Sequence, residues 1–112
     1  MNTKKKKPYI TDKEFIVPIL QKDPEFLAEY INSALKDEPW ILKKVLRDVV
    51  DAAGGVSAVA RATGLGRPAL HRMLSEDGNP EYSSLEKILN HVHLTLGVVP
   101  LKKKERSLVL AR

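Results

Sequence analysis

The sequence predicts an all-α fold in which five helices come with a helical N-terminal extension and one short C-terminal strand. Three observations lead to this prediction. Apolar residues recur at helical spacing through most of the region from residue 24 to residue 92. Asp-Pro, Glu-Pro and Gly-Gly pairs, which commonly begin or end helices, separate these periodic stretches. After His93 the pattern changes to an alternation that is typical of a strand.

Two longer helices are expected in the first half of the chain. The first begins at Asp23-Pro24, where the carboxylate can act as an N-cap and the proline suits the first turn. The second begins near residues 37–39 and ends at Gly54, which can supply a left-handed C-cap. Their apolar faces consist of Phe26, Leu27, Tyr30, Ile31, Ala34 and Leu35 in the first and of Ile41, Leu42, Val45, Leu46, Val49, Val50 and Ala53 in the second.

The segment GGVSAVARATGLGRPALHRML, residues 54–74, contains two short helical patterns. Ser57 is expected to cap the first, which ends near Thr63, and the second covers roughly residues 66–75. Helices this short are marginal in isolation, so we expect them to pack at a fixed angle. Gly64 can take the positive φ that the turn requires. Such an arrangement is typical of a helix-turn-helix, in which the first helix braces the second against the DNA major groove.

An ordinary corner between two helices is the alternative interpretation of this segment. The residue types favour the helix-turn-helix, because Ala60 is small where the two helices would cross. The apolar positions Val59, Leu65, Leu70 and Met73 would form the buried face of the pair. The outward face of the second helix would then carry Arg67, Pro68, His71 and Arg72.

The last helix and the strand complete the predicted fold. Ser83-Ser84-Leu85-Glu86 has the pattern of a capping box, and the helix that it opens runs to about Val92. Leu94, Leu96 and Val98 then alternate with other residues up to Pro100, and this strand is a candidate for pairing across a twofold axis.

Charge is distributed unevenly along the 112 residues. Residues 1–7 carry +4 and residues 101–112 carry +4, whereas residues 8–53 and residues 76–100 each carry −3. Residues 54–75 carry +3 and contain no acidic side chain. Basic tails are often only solvated, but an acid-free basic segment within a folded unit favours binding to a polyanion.

Composition excludes several classes of protein. The chain has no cysteine, which removes disulfide frameworks and suits the cytoplasm. It has no secretory signal pattern and no apolar run long enough for a membrane span. No catalytic constellation and no cofactor motif is apparent, so we expect neither an enzyme nor a cofactor. The three histidines, His71, His91 and His93, are not expected to bind metal.

A few polar and aromatic residues allow simple interpretations. Trp40 is expected to be buried at a helix junction, and Asp48 and Asp51 to be solvated. The cations of the second helix could reach DNA phosphates, although a solvated helix face is the simpler interpretation; they are Lys43, Lys44 and Arg47.

From about Phe15 to Pro100 the chain resembles the addiction-module antidote family, the antitoxins of type II toxin–antitoxin pairs with Cro/C1-type helix-turn-helix domains. The resemblance lies in FLAEYINSALKDEP and in GGVSAVARATGLGRPALHRMLSEDGNPEYSSLEKILNHVHLTLGVVP. Two positions depart from the family pattern. Gly66 stands where a serine usually caps the recognition helix and can touch phosphate, and His93 stands where a glycine commonly takes positive φ.

The resemblance implies two binding activities and no enzymatic one. The protein would neutralise a small ribonuclease-type, RelE/HigB-like toxin by direct binding, and it would bind the operator DNA of its own operon as a homodimer. Alternatives are a phage-type Cro/C1 repressor without a toxin partner and a helical protein-interaction module.

Site residues follow from combining the helix faces with the resemblance. The candidate DNA-binding residues are Ser57, Arg61, Gly66, Arg67, Pro68, His71 and Arg72. The candidate toxin-binding residues are Phe26, Tyr30 and Leu35. The expected organisation is a disordered basic arm at residues 1–10, a toxin-binding helical extension at 11–36, a DNA-binding domain with its strand at 37–100, and a basic tail at 101–112.

Overall fold

A computed structural model describes residues 13–75 and 77–102 of the protein. Six helices form this part of the chain, and the predicted all-α class is confirmed. The arm predicted at residues 1–10 lies outside the described residues, as do residues 103–112 of the predicted tail. The helices are α1 (Lys13–Lys22), α2 (Pro24–Leu35), α3 (Pro39–Ala52), α4 (Val56–Thr63), α5 (Arg67–Leu74) and α6 (Tyr82–His91).

The prediction of five helices and a C-terminal strand is wrong. The N-terminal extension begins with a complete helix, α1, which accommodates Pro18 while burying Ile16 and Leu20. No strand is present in residues 13–75 or 77–102. Leu94 and Leu96 are half-buried and alternate with exposed neighbours, so the alternation of burial is present although the strand is not. A strand also needs a second strand for its hydrogen bonds, and this alternation alone does not supply one.

Local signals at the helix ends have mixed outcomes. The Asp23 carboxylate accepts a hydrogen bond from the backbone N–H of Phe26 at 3.0 Å, which confirms it as the N-cap of α2. Gly64 ends α4 in the left-handed conformation with φ of 80°, as predicted. The cap predicted at Ser57 is wrong, because α4 begins one residue earlier, at Val56.

The capping box predicted at residues 83–86 is also wrong. The helix α6 begins at Tyr82, and its N-cap residue Glu81 makes no side-chain capping bond. Because the helix starts before both serines, neither of them occupies the capping position. The positive φ predicted for His93 is confirmed, with a value of 68°.

Helix α3 is the centre of the packing. Helices α1, α2, α4 and α5 all contact it, while α6 packs on α4. Polar contacts reinforce the apolar core: Lys13 pairs with Asp51 at 2.8 Å, and Gln21 donates a hydrogen bond to the backbone carbonyl of Ala52 at 3.0 Å. One continuous apolar cluster therefore joins the N-terminal helices to α4 and α5.

Candidate nucleic-acid interface

Helices α4 and α5 form a compact unit joined by a short turn, residues 64–66. Val59 and Leu70 are completely buried between the helices, and Ala60 is nearly so. Thr63 stabilises the turn, since its hydroxyl donates to the backbone carbonyl of Val59 at 2.7 Å and accepts from the backbone N–H of Leu65 at 3.3 Å. The two short helices are thus stabilised by packing on each other and on α3.

The outward face of α5 carries five exposed residues. Leu70, Met73 and Leu74 face the core, and the remaining side chains of the helix point to solvent. The exposed residues that the sequence singled out are Arg67, Pro68, His71 and Arg72. Their exposure makes them accessible to a partner, while their role in binding stays a prediction.

Three of the predicted residues lie together beside the turn. Ser57, Arg61 and Arg67 line one open, shallow pocket of about 360 Å³. All three side chains are exposed, and two of them are cationic. Gly66 precedes Arg67 as the N-cap of α5, with extended backbone and no side chain to cover the start of the helix. This corner offers two guanidinium groups, a hydroxyl and an uncovered helix N-terminus, all of which suit an anion.

Arg72 and His71 lie on opposite flanks of α5 and away from that pocket. Arg72 lines a pocket of about 300 Å³ that also contains Asp77 and Glu81. His71 lines another, of about 330 Å³, together with Arg47 from α3. The candidate DNA-binding residues thus extend along and around α5 and do not form a single cavity. An extended, exposed distribution of this kind suits a long partner better than a small ligand.

Of the three cations of α3, only Arg47 is exposed as expected from the sequence. Lys43 is buried, and the ammonium group of Lys44 lies 2.7 Å from Oδ2 of Asp48. Arg47 donates a hydrogen bond from Nη1 to the backbone carbonyl of Leu74 at 2.7 Å. Sequence reasoning missed this contact between α3 and the end of α5, because nothing in the local pattern connects residues so far apart in the chain.

The predicted toxin-binding residues occupy different environments. Tyr30 lies in the core, 4% exposed, and Phe26 is half-buried with its ring stacked on that of Tyr30 at a centroid distance of 5.7 Å. Leu35 is exposed at the end of α2. On α1, Phe15 and Ile19 are exposed and four residues apart, although the sequence analysis did not select them. The exposed apolar surface of the extension therefore lies on α1 and at Leu35, and Tyr30 contributes to the interior.

Other kinds of site find no support in the described ranges. Among residues 13–75 and 77–102, no three His, Asp or Glu side chains are grouped so that they could hold a metal ion. None of the six helices described above is long and apolar enough to cross a lipid bilayer.

The described residues form a small, all-helical protein with one exposed basic helix, α5. The model of the family described as "probable addiction module antidote protein" matches residues 12–100. The chain belongs to this family, which confirms the predicted membership of the antidote family and supports an antitoxin role with a toxin partner. Comparison with curated proteins gave no match, and neither did comparison with solved structures.

Proposed function

We propose that this antidote-family protein neutralises a small RNase-type, RelE/HigB-like toxin by direct binding and represses its own operon by sequence-specific binding to operator DNA. The observation that supports the second activity most strongly is the exposed face of α5. It carries Arg67, His71 and Arg72, and residues 54–75 contain no acidic side chain. Exposed cationic side chains on a helix that itself carries no carboxylate attract a polyanionic duplex.

In this proposal α4, the turn and α5 act as a helix-turn-helix. The helix α5 enters the major groove, where Arg67 or Arg72 pairs with the O6 and N7 atoms of guanine, and Pro68 and His71 lie against neighbouring base edges. Ser57 and Arg61 contact the phosphate backbone beside the groove. The backbone N–H groups after Gly66 face the same phosphates, since no side chain covers that helix start.

A homodimer is part of the proposal. One recognition helix contacts only a few base pairs, and two half-sites about one helical turn apart need two copies related by a twofold axis. Sedimentation equilibrium of the full chain tests this directly. A mass of one chain, both free and on the operator duplex, would contradict it.

The DNA-binding proposal is tested with Arg72→Ala. The probe is a duplex that covers the promoter region of the protein's own operon, with a scrambled duplex of equal composition as the reference. Loss of a bidentate contact to guanine should weaken binding to the promoter duplex by about 1–3 kcal/mol at fixed salt. Lys36→Ala is the matched control, because Lys36 is an exposed cation that follows α2, away from α4 and α5.

Salt dependence separates this proposal from a protein-interaction module. The affinity of the wild-type protein for the promoter duplex should fall steeply as ionic strength rises, because the formation of phosphate contacts releases counterions. Absence of binding to either duplex would overturn the repressor role and leave the helix pair as a scaffold. An equal loss of affinity in Arg72→Ala and Lys36→Ala would show that only total charge matters.

We place the toxin contact on the outer side of α1 and α2. Phe15 is 69% exposed, and Ile19 lies on the same face of α1 one helical turn later. Apolar side chains of this size on a small protein commonly mark a partner surface. Leu35 adds an exposed apolar side chain at the end of α2, and the net acidic character of residues 8–53 suits a basic, RNA-binding partner.

Substitution on the surface is the appropriate test, since removal of α1 and α2 would uncover the core face of α3. The double variant Phe15→Ser/Ile19→Ser should lose copurification with the toxin encoded beside it and should still bind promoter DNA. Tyr82→Ser is the control, because Tyr82 is an aromatic residue of similar exposure on α6. Retained copurification by the double variant would remove α1 from the proposed surface.

A further inference from the structure

The C-terminal end of α5 is held from outside the helix by Arg47. The Nη1 group of this arginine, which lies on α3, donates a hydrogen bond to the carbonyl oxygen of Leu74, the last residue of α5, at 2.7 Å. The final carbonyl groups of a helix have no partner within the helix. A bond from a guanidinium group is charge-assisted and about twice as strong as a neutral one. It ties the exposed helix to the central helix of the core.

The loop after α5 holds the same end from a second side. The carbonyl oxygen of Arg72 accepts hydrogen bonds from the backbone N–H of Ser75 at 3.2 Å and from its hydroxyl at 2.7 Å. A Cβ placed on Gly78 would overlap this carbonyl and would lie 3.0 Å from Cα of Met73. The backbone of the loop therefore lies directly against the last turn of α5, at the carbonyl group of Arg72.

Helix α5 is held on its inner face by the apolar packing of Leu70, Met73 and Leu74, and polar restraints at its ends add to this packing. It is eight residues long, little more than two turns, and its N-cap residue Gly66 makes no side-chain capping bond. A helix of this length has no stability of its own in water. Recognition of base edges nevertheless requires side chains to be held within about 0.5 Å of the productive geometry. External restraints at the helix end thus become part of the recognition machinery.

We propose that Arg47 is a positioning residue for DNA recognition. Through the carbonyl group of Leu74 it sets the orientation of α5, and thereby the reach of Arg72 and His71 to the base edges. The inference rests on the DNA-binding role proposed above. It predicts that Arg47 governs discrimination between sequences, whereas a direct contact from its guanidinium group to phosphate would govern affinity for any duplex.

Two substitutions at Arg47 test this role. Arg47→Met keeps a long apolar stem but removes both the donor and the charge, and Arg47→Lys keeps a charge and a donor. Affinity is measured for the promoter duplex and for the scrambled duplex over a range of salt concentrations, with the Tm of each variant recorded. Lys36→Met serves as the control for loss of one positive charge elsewhere.

The expected result is a loss of about tenfold in affinity of Arg47→Met for the promoter duplex, which corresponds to one charge-assisted hydrogen bond. Its affinity for the scrambled duplex and its salt dependence should stay close to those of the wild type. Arg47→Lys should recover part of the loss. These results together would distinguish a positioning role from a general loss of stability. A general loss of stability lowers the Tm but leaves the ratio of the affinities for the two duplexes unchanged.

Two results would overturn the inference while the DNA-binding role stands. Equal losses on both duplexes, with the salt slope reduced by about 0.9, would make Arg47 a phosphate contact. An unchanged ratio between the duplexes, whatever the Tm, would make the bond to Leu74 purely structural. Failure of the wild-type protein to bind either duplex would overturn the DNA-binding role itself, and the positioning role with it.

Discussion

The hydroxyl group of Tyr30 donates a hydrogen bond to Oδ2 of Asp48 at 2.8 Å in the interior between α2 and α3. The ammonium group of Lys44 lies 2.7 Å from the same oxygen. Asp48 is 1% exposed, so its carboxylate depends on these partners in place of water. A polar contact thus joins the N-terminal extension to the central helix at a point where both are otherwise apolar.

Tyr30→Phe removes one partner of this carboxylate and changes little else in shape. We expect the free energy of unfolding to fall by about 1–3 kcal/mol, because Asp48 would remain buried with a hydrogen bond missing. Urea denaturation followed by circular dichroism measures the change.

The control for this substitution is Tyr82→Phe, since Tyr82 is 64% exposed on α6. Its effect on stability should be within about 0.5 kcal/mol. If the two variants lost the same amount of stability, the bond between Tyr30 and Asp48 would not contribute to the fold.

The same tyrosine predicts a loss of stability at alkaline pH. The pKa of Tyr30 is raised far above its ordinary value of 10.0, mainly because the hydroxyl group is buried. Its hydrogen bond to Asp48 and the negative charge of that carboxylate raise the pKa further. As the pH rises past 10.0, the unfolded chain releases this proton while the folded chain retains it, so the free energy of unfolding falls. Below that pH the contribution is fully present.

Urea denaturation at several pH values between about 8 and about 11 measures this dependence. Lys13 also contributes to the loss of stability at high pH, because its hydrogen bond with Asp51 raises the pKa of its ammonium group. Tyr30→Phe should therefore show a weaker decline than the wild type, and the difference isolates Tyr30. Parallel declines in the two proteins would contradict the prediction.

Some signals that depend on neighbouring residues in the chain were predicted correctly from the sequence, although the caps predicted at Ser57 and at residues 83–86 were not. The confirmed signals include the N-cap at Asp23 and the positive φ at Gly64 and His93. The outward face of α5 also follows from local information, since helical periodicity alone places Leu70 in the core and Arg72 outside. The all-α class and the exposure of the outward face of α5 were therefore accessible from the sequence.

Features that depend on how the helices pack in three dimensions were not accessible. Asp48 was expected to be solvated, and it is buried because Tyr30 and Lys44 satisfy its carboxylate. Trp40 was expected to be buried, and it is 52% exposed with its indole N–H bonded to the Glu38 carboxylate at 3.0 Å. No periodic pattern records which tertiary partner a residue acquires, and the failed strand after His93 has the same origin.

Gly78→Ala tests the contact between α5 and the loop that follows it. The added methyl group would meet the backbone carbonyl of Arg72, which cannot rotate away as a flexible side chain could. Relief of the overlap requires the loop or the helix to shift, at a cost of about 1–3 kcal/mol in stability. Thermal denaturation measures this cost, and the affinity for the promoter duplex should fall with it.

Gly97→Ala is the matched control, because a Cβ at Gly97 would have no atom within 4 Å and φ lies outside the left-handed region. This variant should retain the wild-type Tm and affinity. Wild-type behaviour of Gly78→Ala would mean that the loop does not lie against α5 in solution.

Gly66→Ser should stabilise the protein slightly and strengthen its binding to DNA. Gly66 is the N-cap of α5, and its backbone, with φ of −70° and ψ of 150°, is already that of a capping residue. A serine hydroxyl there can accept a hydrogen bond from the first turn, and serine exceeds glycine at this position by a few tenths of a kcal/mol. In the proposed complex the same hydroxyl can also donate to a phosphate oxygen.

The substitution Gly64→Ser, two residues earlier, should have the opposite effect. With φ of 80°, Gly64 lies in the left-handed region, where a residue with a side chain costs about 1–2 kcal/mol even though open space surrounds it. Differential scanning calorimetry gives the Tm of Gly66→Ser and of Gly64→Ser. The comparison shows the effect of the same added hydroxymethyl group in two backbone conformations. A Tm lowered by both substitutions would show that Gly66 is not the N-cap of α5, and a Tm raised by both would contradict the left-handed turn.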